Sequence, residues 1–158
     1  MPIKRTLSDV VGENNSTSNR QIVVAEFTNN NQVINKVLFP RETHYLKEHS
    51  STYEDVAQVL IVKEVIRDNT ARLKPGNEIL VYRQPNYDIN SARRYHETGR
   101  LDSPVLLSYT QHYPIEGNIV ILFILERVIN ENKVWAEYAR EGAGAKKEIL
   151  KFIDVSTD

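Results

Sequence analysis

Seven consecutive apolar residues, Ile119–Leu125 (IVILFIL), constrain this chain more than any other stretch. They are entered through Glu116-Gly117-Asn118 and left through Glu126-Arg127. A continuous apolar run with a turn signal before it and charges after it reads as a strand buried on both faces. Ile119, Val120, Ile121 and Ile124 are β-branched and Phe123 is aromatic, which weakens the helical reading. The run is also far shorter than the roughly 20 apolar residues a membrane-spanning helix needs. The expectation is a central strand, the most buried of the fold.

At 158 residues the chain is expected to form one main domain, large enough to bury a core. Lys plus Arg number 20 against 21 Asp plus Glu, so charge gives no general pull toward nucleic acid or an anionic membrane. Cysteine is absent, which excludes disulfides, thiolate catalysis and sulfur-ligated zinc. Its absence fits a reducing compartment, although many exported bacterial domains also lack it. The start, MPIKRTLSDVVGENN, has basic residues but no apolar signal-peptide core. At face value this reads as cytoplasmic, and as exported if the chain is a trimmed mature form.

Residues 1–20 end in a polar run, Gly12–Arg20, and read as a flexible N-terminal tail ahead of a single β-barrel domain over 21–158. Ile22–Phe27 reads as a short strand closed by the turn Asn29-Asn30-Asn31. Val33–Phe39 follows as its hairpin partner, and Pro40 ends the pairing. Arg41–His49 has the pattern of one or two helical turns. Ser51–Glu54 and Thr52–Asp55 both resemble a capping box, which argues for a helix start. Against it, Val56, Val59, Ile61, Val62, Val65 and Ile66 are β-branched and would cover nearly the whole circumference of a helix. A turn over Ser51–Asp55 followed by a strand Val56–Ile66 is preferred, with the helix as the alternative.

Lys74-Pro75-Gly76-Asn77 is a turn, and Glu78–Arg83 is the next strand. Asn90 or Ser91 caps a short helix Ala92–Thr98, which Gly99 closes. Val105–Tyr109 is a further strand. Asn130-Glu131-Asn132 turns the central strand into Val134–Arg140. Ala145–Ile153 places Ile149, Phe152 and Ile153 at helical spacing, a short amphipathic helix. The fold class is mainly β: a partly closed antiparallel barrel with a short inserted helix and a C-terminal helix. Its expected core includes Val59, Ile61, Ile79, Val81, Ile121, Phe123, Val134 and Phe152.

Three segments carry a family resemblance. Tyr53–Val65 (YEDVAQVLIVKEV) resembles the opening strand of netrin-like domains, and Pro75–Val81 (PGNEILV) their glycine turn and third-strand region. Glu116–Ile124 (EGNIVILFI) is similar to their glycine-then-apolar-strand segment, and the terminal helix has a counterpart there. The resemblance spans roughly residues 53–153. It implies a closed β-barrel of OB type, as in the tissue inhibitors of metalloproteinases. Those inhibitors ligate the protease zinc through an amino-terminal cysteine, which this chain lacks, so that mode of inhibition is not implied.

The candidate chemistry is sparse. His44 and His49 stand five apart, about 140° around a helix. His96-Glu97 opens like a zinc-protease motif, but position 100 is Arg. An enzyme reading would rest on His96, Glu97 and His112. Gly142-Ala143-Gly144-Ala145-Lys146 has the glycines and lysine of a phosphate cradle without the spacing, and reads better as a strand-to-helix connection. No cofactor or metal is expected.

The most informative surface spans Tyr82 to Tyr113. It carries Tyr82, Tyr87, Tyr95, Tyr109 and Tyr113 interleaved with Arg83, Arg93, Arg94 and Arg100. Tyr and Arg anchor protein interfaces because each buries a large area while keeping polar handles. The same residues stack on and neutralise single-stranded nucleic acid in OB barrels. Asp88, Glu97 and Asp102 leave the four arginines a net charge of only +1, which favours a protein partner. Packing at barrel ends is the alternative for several of the tyrosines. The expected function is a non-catalytic protein-binding module, with Tyr87, Arg93, Arg94, Tyr95, Arg100, Tyr109 and Tyr113 as its contact residues. A single-stranded nucleic-acid-binding module is the alternative.

Overall fold

The computed structural model describes residues 3–12, 15–39, 51–83, 107–109 and 115–156. In chain order these form β1 (Ile3–Arg5), α1 (Leu7–Val11), β2 (Gln21–Phe39), β3 (Ser51–Arg67) and β4 (Glu78–Tyr82). There follow β5 (Leu107–Tyr109), β6 (Ile119–Ile129), β7 (Asn132–Gly142), a 3-10 turn (Ala143–Ala145) and α2 (Lys146–Ser156). Five strands close into a barrel in the order β2-β3-β4-β7-β6, with β6 pairing back on β2. A ring of five strands cannot alternate direction all the way round. The exception here is β4–β7, which pairs parallel through Val81–Trp135 and Tyr82–Ala136, while the other four pairs are antiparallel. β1 and β5 form a separate two-stranded parallel sheet.

The apolar run is the start of β6, and Val120 through Ile124 are fully buried. Its two faces are buried by different neighbours. Val120, Leu122 and Ile124 meet Val23, Ala25, Leu60, Val62, Ile79, Val81 and Trp135, a cluster with residues from every strand of the ring and therefore the barrel interior. Ile121 and Phe123 point the other way, against Ile22, Ala139, Leu7, Val10 and Val11 of α1, and Ala145 and Ile149 beside and within α2. A half-solvated strand alternates apolar and polar residues; this one has a helical layer outside and the barrel core inside, so it is apolar throughout. A third, smaller cluster joins Ile34, Ala57, Tyr82 and Val134.

Several turns follow their sequence signals. Asn77 N–H donates to the Lys74 carbonyl at 3.2 Å, and Gly76 takes φ +91°, so Pro75-Gly76 occupies the centre of a type II turn. Asn130 and Glu131 take φ +48° and +68° between β6 and β7, both positive as a two-residue hairpin turn requires. Ser51–Arg67 is strand throughout, which settles the helix-or-strand ambiguity and replaces the expected turn over Ser51–Asp55. The stretch from Gly142 to Lys146 is a strand-to-helix connection. Lys146 Nζ lies 2.5 Å from Glu64 Oε1, so its charge is spent on a carboxylate of β3.

Two expectations are corrected. The N-terminal segment is not simply a tail with little to bury. Leu7, Val10 and Val11 share one face of α1 and sit at 6%, 0% and 0% exposure. Thr6 and Asp9 form a reciprocal capping box that starts this helix. Nor is Asn29-Asn30-Asn31 a hairpin turn. β2 runs unbroken from Gln21 to Phe39 and pairs with β3 along its length. Pairing jumps from Phe27–Leu60 to Asn31–Gln58, so the asparagines form a bulge. The Thr28 hydroxyl donates to the Val59 carbonyl at 2.8 Å and accepts from Asn30 N–H, which satisfies backbone groups that the ladder has lost.

Of the expected core, Ile79, Val81, Ile121, Phe123 and Val134 are buried, while Val59, Ile61 and Phe152 are half-buried. β3 turns Leu60 and Val62 into the barrel, which sends Val59 and Ile61 to its other face. The expected helix Ala92–Thr98 and the turns of Arg41–His49 lie outside the described residues.

Candidate functional site

Most of the Tyr/Arg surface, namely Tyr87, Arg93, Arg94, Tyr95, Arg100 and Tyr113, lies outside the described residues, as do His44, His49, His96, Glu97 and His112. Tyr109 is described only as backbone, at the end of β5, paired with Arg5. Tyr82 is a structural residue. It is buried, its hydroxyl donates to Asp55 Oδ1 at 2.9 Å, and the Arg127 guanidinium stands 5.5 Å from its ring centre. Arg83 is exposed and reaches Glu137 Oε2 at 3.5 Å.

Among the described residues a cleft of about 220 Å³ opens at the β2 bulge. Four separate parts of the chain line it: Phe27 and Asn29-Asn30-Asn31 of β2, Gln58 and Val59 of β3, Asn118 before β6, and Arg140 of β7. The bulge makes the site, because the extra residues push the asparagine side chains out of the pleat instead of into a ladder. Asn29, at φ +67°, sits in the left-handed region that asparagine tolerates better than most side chains. Phe27 N–H donates to the Asn118 carbonyl at 2.9 Å, which ties the bulge to the turn entering β6.

Arg140 is the only charged side chain among the described residues of the lining. Its Nε donates to both Glu137 carboxylate oxygens at 3.1 Å, and its guanidinium lies 5.1 Å from the centre of the Phe27 ring. Glu137 is largely buried beneath it. Among the described residues no hydrogen bond engages the side-chain amides of Asn29, Asn31, Gln58 or Asn118. The cleft therefore presents several amide donors and acceptors, the apolar Phe27 ring, and a guanidinium fixed in place by its own carboxylate.

A second polar cluster is structural. Arg67, buried at the end of β3, donates to the carbonyls of Val11 (2.6 Å) and Arg20 (3.0 and 2.8 Å), to Asn15 Oδ1 (2.5 Å) and to Ser18 Oγ (3.1 Å). Burial, with the like charge of Arg20, lowers its pKa to about 10. Next to it, burial alone would raise the Asp68 carboxyl. The Thr70 hydroxyl and the N–H groups of Leu73, Thr70 and Arg72 outweigh that and hold it below the usual range. Both groups face the protein's own backbone and build the join between the N-terminal segment, β3 and the β3–β4 turn. No group of three His, Asp or Glu side chains among the described residues is placed to hold a metal ion.

Sequence reasoning treated the asparagine run as a turn and missed the cleft. The one available signal was three consecutive amides between two β-rich segments. Comparison with known protein families, with curated proteins and with solved structures found no match to this chain.

Proposed function

We propose that this chain is a non-catalytic binding module on an OB-type barrel, recognising another protein through the Tyr/Arg-rich segment between β4 and β6. Strand order supports the barrel type. Counted in chain order, the five barrel strands close as first-second-third-fifth-fourth, with the third and fifth parallel. The C-terminal helix packed outside the ring fits the netrin-like resemblance.

The observation that carries the reading is that β2, β3, β4, β7 and β6 suffice to close the ring, while β5 pairs with β1 in a separate sheet. By sequence position Tyr87, Arg93, Arg94, Tyr95, Arg100 and Tyr113 fall between barrel strands β4 and β6, and recognition residues concentrate in the segments that join scaffold strands. The described residues contribute an open amide cleft and structural ion pairs.

The test is the triple variant Arg93→Ala/Arg94→Ala/Tyr95→Ala. Exposed substitutions away from structural features change stability by within about 0.5 kcal/mol each, so its melting temperature should stay close to wild type. A partner purified on the wild-type chain from its native source should be lost, since interface anchors contribute about 2 kcal/mol or more each. Unfolding of the variant would assign these residues to packing and overturn the reading. Retention of single-stranded oligonucleotide that weakens steeply with salt would move it to nucleic-acid binding, the other use of an OB-type barrel.

A further inference from the structure

From the cleft at the β2 bulge we infer a second binding site, built from residues outside the Tyr/Arg segment of the sequence, for one ring of a neutral saccharide. Each side-chain amide offers a carbonyl acceptor and an NH₂ donor side by side. A pair of neighbouring sugar hydroxyls, each able to donate and accept, matches that arrangement. Asn29, Asn31, Gln58 and Asn118 bring four such amides to one cleft, and none is engaged in a hydrogen bond among the described residues.

The other ligand classes fit less well. An anion needs unspent positive charge, and the one cation among the described lining residues, Arg140, is already held by Glu137. A cation needs carboxylates, and none of the described lining residues supplies one. An apolar ligand would strip water from the amides and leave them unpaired, at about 1–3 kcal/mol for each group. Single-stranded nucleic acid offers bases that pair with amides, but its phosphates require a basic track. A neutral polyol needs only hydrogen-bonding partners and apolar surface for its C–H face. The Phe27 ring supplies that surface, and Arg140, pinned by Glu137, adds a fixed donor. At about 220 Å³ the space lies below the range of about 300–1,000 Å³ for drug-sized ligands. That suits a single ring of a longer chain running over the rim.

The test is titration of the full chain with neutral oligosaccharides of glucose, mannose and N-acetylglucosamine, followed by the side-chain NH₂ resonances of Asn29, Asn31, Gln58 and Asn118. At least one probe at millimolar concentration should shift these resonances together and leave in place those of Asn69 and Asn132, which are not among the lining residues and whose NH₂ groups are already bonded to backbone carbonyls. Asn31→Ala/Gln58→Ala should weaken that binding about tenfold or more, since each lost hydrogen bond contributes about 1 kcal/mol. Its melting temperature should be unchanged, because Asn31 is exposed and Gln58 half-exposed. Asn118→Ala, outside the β2–β3 ladder, serves as an independent variant. The inference is overturned if no saccharide shifts these resonances, if binding survives both variants, or if a neutral saccharide fails where a single-stranded oligonucleotide succeeds. Loss of the protein partner in the Arg93/Arg94/Tyr95 variant should leave saccharide binding intact, so the two sites fail separately.

Discussion

Replacing Arg67 by methionine tests what joins the N-terminal segment to the barrel. The guanidinium makes five hydrogen bonds to residues between Val11 and Arg20, and every acceptor is neutral. Methionine keeps most of the aliphatic stem and removes every donor. The Val11 carbonyl and Asn15 Oδ1 are bonded in buried surroundings and lose this donor, while the Arg20 carbonyl and Ser18 hydroxyl are partly exposed and rehydrate.

At about 1–3 kcal/mol for each buried group left unpaired, the gross loss is about 2–6 kcal/mol. Relief from burying a cation, the burial that lowers the Arg67 pKa to about 10, offsets part of this. A net loss of about 2–4 kcal/mol is expected. For a chain of this size it corresponds to a melting temperature lower by roughly 5–15 °C. Amide exchange supplies the position-specific readout. Val10 N–H bonds the Thr6 carbonyl and Gly12 N–H the Ser8 carbonyl, both at 3.1 Å within α1. Their protection should fall further than that of Leu122 in the barrel, because the segment is released before the ring opens. An unchanged melting temperature, or exchange at Val10 and Gly12 as slow as in wild type, would refute the assignment of Arg67 as the staple.

Two further outcomes follow from local geometry. Asp68→Asn removes a carboxylate whose pKa is held down in the folded state. The wild type therefore has a stability contribution that is present above the ordinary aspartate pKa of about 4 and is lost as pH falls through the lower folded value. The variant should be less stable by about 1 kcal/mol at neutral pH, and the difference should shrink in acid unfolding titrations. Glu131→Gly places glycine where an exposed glutamate sits at φ +68° in the β6–β7 turn. It should raise stability by up to about 1 kcal/mol, read as a higher midpoint in urea at unchanged slope.

The sequence by itself determined those elements whose cause is local. Ile119–Leu125 has apolar residues at every position, so any packing that buries one face must bury the other. Pro75-Gly76 has one favoured turn, and Ile149, Phe152 and Ile153 repeat at helical spacing within the helix that forms from Lys146 to Ser156. Tertiary structure decided the rest. β3 is apolar on both sides around Val59–Val62, so period-two alternation carried no information about which face enters the barrel. Pairing with β2 and β4 chose Leu60 and Val62. Leu7, Val10 and Val11 are three apolar residues in a polar stretch. They become core only because α2 and the outer face of β6 meet them. Asn29 does adopt the turn conformation its residue type favours. The ladder to β3 resumes two residues later, so a local turn preference became a bulge within one long strand. The cleft beside it draws on residues 27, 29–31, 58–59, 118 and 140. No linear motif encodes it, because barrel closure, not spacing along the chain, brings those side chains together.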